Sequence, residues 1–352
     1  MQLPIAVNSV IGFYYRITVG ASTGLGIMNK LAKLIDPYIL LMALVVAIAA
    51  FLPAQGQGAM TAKYAANASI VFLFFLYGTR LSLKAAIDGL LQWKLQIAVL
   101  ICTFALFPIV GLAMSPLFPA SFPTALTMGF LFLCVVPSTV QSSIAFTSIA
   151  RGNVAAALCA ASASNIFGVF LSPFLAGVLL QAQGADFSFS VFRDITLQLL
   201  APFVAGQLMR PLVGGWVQRH KKILGYADRG SILLIIYVAF SRGMVDGIWA
   251  QLQVADLLVL TAVLCALLFI ILVLTMFVGV KIMGLSKEDD IVLQFCGSNK
   301  SLASGLPMST VIFSGAQQSM VILPLMLFHQ IQLIVCAVLA RRYSHRIDEL
   351  VE

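Results

Sequence analysis

The chain has 352 residues, of which 61% are apolar and only 10% are charged, and its mean hydropathy is +1.02. These values exclude an ordinary soluble globular domain and indicate an integral membrane protein. The net charge of +8 would suit a nucleic-acid partner, but the positions of the basic residues argue against one. No cofactor is predicted.

Residues 1–35 are predicted to be an N-terminal extension with the character of an interfacial helix, because their beginning lacks both a continuous apolar core and a cleavage site. Apolar runs long enough to cross a bilayer, about 20 residues, then recur along the chain. They predict ten spans, at 37–53, 65–82, 95–117, 125–149, 154–182, 192–213, 229–247, 254–284, 288–314 and 319–341.

The ten spans divide into two halves, residues 36–182 and 192–341, with a linker at 183–191 and a tail at 342–352. Basic residues concentrate on one side of this arrangement. Only Lys63, Arg193 and Arg242 fall on the opposite side, and Lys300 falls inside a span. The positive-inside rule makes the basic side cytoplasmic. We therefore expect a multi-pass protein of a cell membrane, the cytoplasmic membrane of a bacterium, with both termini in the cytoplasm.

Ionisable groups other than Lys300 keep away from the middle of the predicted spans. All 13 acidic residues map to loops, tails or span ends, whereas carriers of sodium or protons commonly place a carboxylate at mid-membrane. The six cysteines fall inside apolar segments without CxxC spacing, which favours core thiols over disulfides or metal ligands. Neither a metal site nor an intramembrane enzyme is predicted.

Two spans contain polar interruptions. In span four, Pro137 is followed by Ser138, Thr139, Gln141, Ser142 and Ser143. In span nine, Gly297 is followed by Ser298, Asn299, Lys300 and Ser301, with Pro307 close behind. Proline removes a backbone donor and disfavours helix at the residue before it, and glycine weakens a helix. Pro137, Gly297 and Pro307 are therefore predicted to break these helices near mid-membrane.

Irregular backbone at this depth is tolerated only where it is buried in protein or lines a cavity. Paired interruptions in two halves of a chain are typical of the binding site of a secondary transporter. The two segments lie five spans apart, and an odd number of spans in each half makes the halves inverted repeats. The alternative is that both helices are merely kinked and packed through small residues.

Several motifs carry a family resemblance. "GTRLSLK", "PSTVQSSIAF", "PFVAGQLMR", "FCGSNKSLASGLPM" and "LPLMLFHQIQ" resemble the bile acid:sodium symporter superfamily. More narrowly, they resemble the branch of solute carrier family 10 member 7 and its bacterial relatives. The resemblance covers residues 28–345. It implies an all-α fold of ten transmembrane helices in two inverted five-helix repeats, with core and panel domains and with helices 4 and 9 unwound and crossing.

The resemblance also implies a sodium site at this crossing, and the chain departs from it. Gln294 stands at the family's glutamate position and Ser298 at its glutamine position, while Ala157 and Ala161 replace expected hydroxyls. These departures argue against classical coupling to two sodium ions, and they leave sodium binding itself open. The substrate or ion site is predicted at Thr139, Gln141, Ser142, Ser143, Asn165, Gln294, Ser298, Asn299, Lys300 and Ser301.

Lys300 has three possible roles. Its ammonium could replace the bound sodium by donating to unwound carbonyls and to Gln141, Ser142, Gln294 or Ser298, and could then attract an anionic substrate. It could instead take up and release a proton during transport, or it could only hold two broken helices together. His329 is a packing histidine or a proton relay.

The predicted function is secondary active transport of a small organic, anionic solute by alternating access. A membrane regulator of calcium homeostasis that carries no substrate is the alternative. The expected partners are the solute and the lipid bilayer, with no nucleic acid, and the oligomeric state stays open.

Overall fold

The computed structural model describes residues 37–80, 92–181, 189–247, 252–313 and 318–348, and these contain helices and connections but no strand. The predicted N-terminal extension at 1–35 and part of the predicted linker, 183–188, lie outside the described residues. From Val45 onward the chain belongs to one compact unit, and the preceding unit is described only at residues 37–44.

The described residues form twelve helical segments. They are α1 (Pro37–Phe51), α2 (Gly56–Arg80), α3 (Trp93–Leu117), α4 (Thr124–Val135), α5 (Val140–Ile149), α6 (Val154–Gln181), α7 (Phe189–Arg219), α8 (Lys221–Val245), α9 (Val254–Ile282), α10 (Lys287–Ser298), α11 (Leu302–Ile312) and α12 (Gln318–Asp348). Helix α7 begins inside the predicted linker. Helix α12 continues through residues 342–348, where the sequence predicts a tail.

The segments include membrane-spanning helices. Six of the described helices, α2, α3, α6, α8, α9 and α12, are long and apolar enough to cross a bilayer. The pair α4 and α5 meets the same criterion when taken together, although its two parts are bent by 61°. Large apolar side chains such as Leu212 and Phe269 remain 82% and 68% exposed, as expected for a surface that faces lipid. The protein is a multi-pass membrane protein, and the part of it that the structure describes is all-helical.

Helices α2 and α7 are in direct backbone contact. A Cβ atom placed on Gly78 of α2 would lie 2.1 Å from the carbonyl oxygen of Phe203, and one placed on Gly206 of α7 would lie 2.1 Å from that of Phe75. Only glycine permits this approach, which is a common way for membrane helices to pack. The two reciprocal contacts hold α2 and α7 as a pair.

A second group of helices surrounds the interrupted segments. Helices α3, α6 and α10 share a buried apolar cluster that includes Val99, Cys102, Ala157, Ala161, Leu293 and Cys296. The small side chains at Ala157 and Ala161 are fully buried, so α6 can approach α10 closely. This packing brings α3 and α6 to the C-terminal ends of α4 and α10, where the backbone of each segment leaves the helical conformation.

Candidate functional site

The first interruption separates α4 from α5 at residues 136–139. Val136 has φ −67° and ψ 142°, an extended conformation, because α-helical dihedrals are disfavoured before Pro137. The N–H of Val136 donates to the Leu133 carbonyl in a tight final turn. Helix α5 starts again at Val140 after Thr139, which is also extended.

The second interruption separates α10 from α11 at residues 299–301. Asn299 and Ser301 are extended, with ψ of 143° and 109°. The Ser301 hydroxyl accepts from the N–H of Ser304 at 3.1 Å and so caps α11, as serine commonly does. The break therefore lies after Ser298, not at Gly297.

The two interruptions lie against each other. The Ser301 N–H donates to the Pro137 carbonyl at 2.8 Å, and the Ser138 hydroxyl donates to the Cys296 carbonyl at 2.6 Å. Asn165 of α6 joins both sides: its amide nitrogen donates to the Ser138 carbonyl at 2.8 Å, and its oxygen accepts from the Ser304 hydroxyl at 2.8 Å. Backbone groups that lost their helical partners are thus satisfied across the break.

The side chain of Lys300 is completely buried at this meeting point, with 0% exposure. Its ammonium donates to three carbonyl oxygens, those of Thr103 at 2.8 Å, Cys134 at 2.8 Å and Val136 at 2.9 Å. It also lies 4.0 Å from the ring centroid of Phe107, within cation–π distance. Because an ammonium has three N–H donors, its hydrogen-bonding capacity is filled.

Two of the three carbonyls, those of Thr103 and Cys134, are available because their helical donors are missing, and the third, that of Val136, lies in the non-helical segment 136–139. Residues 102–106 of α3 form a π turn, in which Phe107 donates to the Cys102 carbonyl, five residues back. The next residue, Pro108, has no N–H that could reach Thr103, so the Thr103 carbonyl has no donor in its own helix. In a continuous helix the Cys134 carbonyl would accept from the N–H of Ser138, four residues later. That N–H donates to the Ser164 hydroxyl instead.

The backbone of Lys300 is held separately by α12. Gln332 is fully buried; its amide oxygen accepts from the Lys300 N–H at 2.8 Å, and its nitrogen donates to the Lys300 carbonyl at 2.8 Å. The same nitrogen lies 2.9 Å from Nδ1 of His329. His329 is thus a neighbour of the Lys300 backbone, and its ring supports Gln332.

The side chains expected to bind the ammonium lie elsewhere, which corrects that part of the sequence interpretation. Gln141 is exposed. Gln294 donates to Asp290 at 2.8 Å and accepts from the Tyr343 hydroxyl. Neither these two nor Ser142 and Ser298, the other expected partners, accepts a bond from Lys300.

Other predicted site residues form the surroundings of the interruptions. The Ser143 hydroxyl donates to the Phe295 carbonyl at 3.2 Å and accepts from the Asn299 side chain at 3.3 Å. The buried hydroxyl oxygens of Thr139 and Ser142 have no hydrogen-bond partner in the part of the chain that the structure describes. No group of three His, Cys, Asp or Glu side chains among the described residues could hold a metal ion.

Two predicted helix breakers lie inside helices. Gly297 is in the last turn of α10, where a Cβ atom would come within 3.2 Å of Cys102. Pro307 is inside α11 and removes the donor that would bond the Ala303 carbonyl. The hydroxyl of Tyr77 from α2 donates to that carbonyl at 3.1 Å. Gly297 allows close packing and Pro307 frees an acceptor, and neither ends its helix.

A small cavity adjoins the network. It has a volume of about 30 Å³ and lies between α2 and α7 on one side and α6 and α11 on the other. Its lining residues are Phe74, Tyr77, Asn165, Ile166, Val169, Phe203, Ser304 and Met308. Asn165 and Ser304 connect the cavity wall directly to the interrupted helices.

Several contributors to this site are not among the residues predicted from the sequence, and Thr103, Phe107 and Tyr77 illustrate why. The signal for Thr103 was Pro108, since a proline in a helix frees a carbonyl about one turn before it. Pro307 gives the same signal for Ala303. Phe107 carried no polar signal, because an aromatic residue in an apolar span resembles every other core residue.

Comparisons with known proteins agree in assigning a transporter family. The sequence model of the SBF-like CPA transporter family (DUF4137) matches residues 36–345. An uncharacterized protein of Pseudomonas aeruginosa is 48% identical over 92% of this chain and 97% of its own length. The putative symporter YfeH of Escherichia coli (strain K12) is 46% identical over 91% of this chain and 96% of its own length.

A more distant relative is the sodium/bile acid cotransporter 7 of Rattus norvegicus, 27% identical over 80% of this chain and 82% of its own length. The names of YfeH and of this cotransporter are those of transporters, not enzymes, and both fit a multi-pass membrane protein. The chain therefore belongs to the SBF-like CPA transporter family.

Proposed function

We propose that the protein is a secondary active transporter of a small organic anion, in which Lys300 is a built-in cation at the place where sodium symporters hold a metal ion. In this proposal residues 36–182 and 192–341 form two inverted repeats of five spans, α4 and α5 being one span and α10 and α11 another. The helices around Lys300 form the core domain, and α2 and α7 belong to the panel domain.

The observation that carries the proposal is the environment of Lys300. Its ammonium occupies three carbonyl oxygens that have no helical donor, which is the kind of group that coordinates a cation at a broken transporter helix. Placing a charged lysine at the centre of a bilayer costs at least about 2.5 kcal/mol. The carbonyls and the Phe107 ring offset this cost.

The side chains do not fit the sodium site that the bile acid:sodium symporters suggest. Gln294, at the glutamate position, is engaged with Asp290 and Tyr343. Ala157 and Ala161 of α6 offer no side-chain oxygen. The ammonium supplies the positive charge that the half-helix carbonyl ends favour, so this crossing needs no sodium.

The same geometry bears on the other roles considered for Lys300. All three of its N–H donors are used, so a substrate could bond the ammonium only by displacing a backbone carbonyl. Such a displacement would leave a buried acceptor unsatisfied, at a cost of about 1–3 kcal/mol. The fixed-cation role therefore agrees with the contacts better than direct substrate binding does.

Transport requires the cavity beside Asn165 to enlarge. A volume of about 30 Å³ suits a single water molecule, whereas pockets for organic ligands measure about 300–1,000 Å³. In an alternating-access cycle the pair α2 and α7 would move relative to α6 and α11. The bond between Tyr77 and the Ala303 carbonyl joins these two sides and would break during that movement.

The test is uptake into proteoliposomes that contain only the purified protein, over a panel of organic anions with a sodium gradient, a proton gradient or none. We expect uptake that is saturable and independent of sodium. Sodium-dependent uptake would contradict this expectation and would require a sodium site away from Lys300, and a strong dependence on pH that Lys300→Met abolishes would favour the proton role. Absence of flux, together with calcium effects seen only with a partner protein, would favour the regulator.

The proposed orientation puts both termini in the cytoplasm of a bacterium. Reporter fusions after residue 352 and at residue 56 should report opposite sides of the membrane, because the structure has α2 starting at Gly56 and the basic residues predict that end to be external. Activity of both reporters on one side would reject the ten-span arrangement.

A further inference from the structure

A polar groove lies along α7, beyond the small cavity. It has a volume of about 420 Å³, and its lining includes Thr79 of α2 together with Gln207, Arg210, Gly214 and Gln218 of α7. No carboxylate is among its lining residues in the described part of the chain. The groove is therefore open, polar and positively charged.

The groove continues the face of α7 that lines the cavity. Phe203 lines the cavity, and residues 207, 210, 214 and 218 follow it at intervals of four, three, four and four. These intervals place them on one face of a helix. The groove lies at the C-terminal ends of α2 and α7, which the basic residues assign to the cytoplasmic side. A solute that leaves the cavity toward the cytoplasm would travel along this face.

Arg210 is the charged residue on this face. It is half-buried, and its Cγ atom would lie 3.2 Å from a Cβ atom placed on Gly214, so the side chain runs along the groove over a glycine. Arg210 has no carboxylate partner among the described residues, whereas the neighbouring Arg80 is paired with Asp228.

We propose that Arg210 selects anionic solutes in the cytoplasmic access path, by pairing with a carboxylate or similar group of an amphipathic organic anion. This rests on the proposed function and adds to it the residue that recognises the charge. The hydrogen-bond donors of Lys300 are filled, while the guanidinium of Arg210 faces an open groove and can bind a carboxylate with two parallel bonds. The aromatic cavity residues Phe74, Tyr77 and Phe203 suit the apolar part of the same solute.

The simpler explanation is that Arg210 only orients the protein, as basic residues at cytoplasmic helix ends do. Arg219 provides the matched control, because it lies on the same helix, carries the same charge, is exposed and is absent from the groove lining. Arg210 is half-buried, so its attraction to a bound anion is only partly screened by water. We therefore expect the loss of Arg210 to weaken anion binding about tenfold.

The binding test compares benzoate with its neutral analogue benzamide, through the melting temperature of the purified protein at constant ionic strength. Benzoate should stabilise the wild-type protein more than benzamide does. In Arg210→Gln its apparent Kd should rise about tenfold, with partial recovery in Arg210→Lys, while Arg219→Gln should match the wild type. Equal effects of Arg210→Gln and Arg219→Gln, or no preference for benzoate in the wild type, would overturn the proposal.

Two further arms separate the alternatives. Melting in the presence of phosphatidylglycerol tests whether Arg210 binds a lipid headgroup. Stabilisation that depends on Arg210 and appears with this lipid but not with benzoate would overturn the solute assignment.

Uptake of the impermeant anion benzenesulfonate into proteoliposomes tests the link to transport. Uptake that is equal in the wild type and Arg210→Gln refutes the role of Arg210 and leaves the transporter intact. Benzoate binding that depends on Arg210, without any solute flux, refutes the transporter and leaves the anion site.

Discussion

Removal of the Lys300 ammonium should convert the occupied carbonyl set into an empty cation site. Lys300→Ala deletes the side chain and leaves space for a free cation, whereas Lys300→Met removes the charge but fills most of the volume. Both variants leave the carbonyls of Thr103, Cys134 and Val136 without the donor that now satisfies them.

The expected loss of folding stability is the difference between two opposing contributions. Three buried carbonyls without a partner cost about 1–3 kcal/mol each, and the loss of a buried charge returns about 2.5–3.5 kcal/mol. The difference is a net destabilisation of about 3 kcal/mol, which corresponds to roughly a 150-fold fall in the folding equilibrium constant. A lysine that only filled space would give a smaller loss, and Lys300→Met would then be close to neutral.

The assay is unfolding of the purified protein in a fixed detergent, with ammonium, potassium, sodium or choline as the added chloride salt. Lys300→Ala should regain stability with ammonium, because free ammonium presents the same donors to the same carbonyls. Saturation at about 100 times its Kd would return about 2.7 kcal/mol. Lys300→Met should show no such recovery, and neither should Lys63→Ala, which changes an exposed lysine of α2.

Three results would refute the reasoning. Lys300→Met could be as stable as the wild type, in which case the carbonyls do not need the ammonium. Ammonium could stabilise all variants equally, which would make the salt effect nonspecific. Recovery of Lys300→Ala with choline as fully as with ammonium would show that neither donor geometry nor cation size matters at the site.

Two further predictions concern the supports of the site. Gln332→Met should destabilise the protein by about 2–3 kcal/mol in the same unfolding assay, because it removes both bonds to the Lys300 backbone. The control is Gln330→Met, which should change stability little, because the buried amide oxygen of Gln330 has no hydrogen-bond partner in the described residues. Equal losses of stability in the two variants would reject the claim. Tyr77→Phe should lower the free energy of unfolding by about 1 kcal/mol in the wild type but by little in Pro307→Ala, where the restored N–H of residue 307 can bond the Ala303 carbonyl in place of the hydroxyl. Additive effects of the two substitutions in this double-mutant cycle would contradict the assignment.

Local sequence signals located the interruptions but not their partners. Pro137 and the polar residues around Lys300 identify two weak helical segments, because proline geometry and polar side chains in an apolar span are local properties. The contacts of Lys300 depend on where α3 lies relative to α4 and α10, which local patterns do not encode. The sequence predicts unwound carbonyls together with Gln141, Ser142, Gln294 or Ser298 as partners, and none of these four side chains accepts a bond from the ammonium.

Gly297 and Pro307 show a second limit of local reasoning. In water both residues weaken a helix, and the same rule inside the membrane predicts a break at each of them. In the structure α10 continues through Gly297 to gain close contact with Cys102. Helix α11 continues through Pro307 because Tyr77 satisfies the carbonyl that the proline frees. Tertiary packing decides whether a glycine or proline ends a membrane helix.

A cation that cannot leave changes what can drive transport. A bound ion couples its gradient to a conformational change only if the site is occupied in one state of the cycle and empty in another, since coupling is a difference in binding free energy between states. Lys300 is attached to the chain, so its place among the three carbonyls cannot be emptied and refilled by sodium from the two sides of the membrane. Under the fixed-cation role, the energy for active transport must come from an ion bound elsewhere, and without such an ion the protein would only equilibrate the solute across the membrane. The sodium-free proteoliposome experiment therefore distinguishes a change of coupling mechanism from a loss of transport.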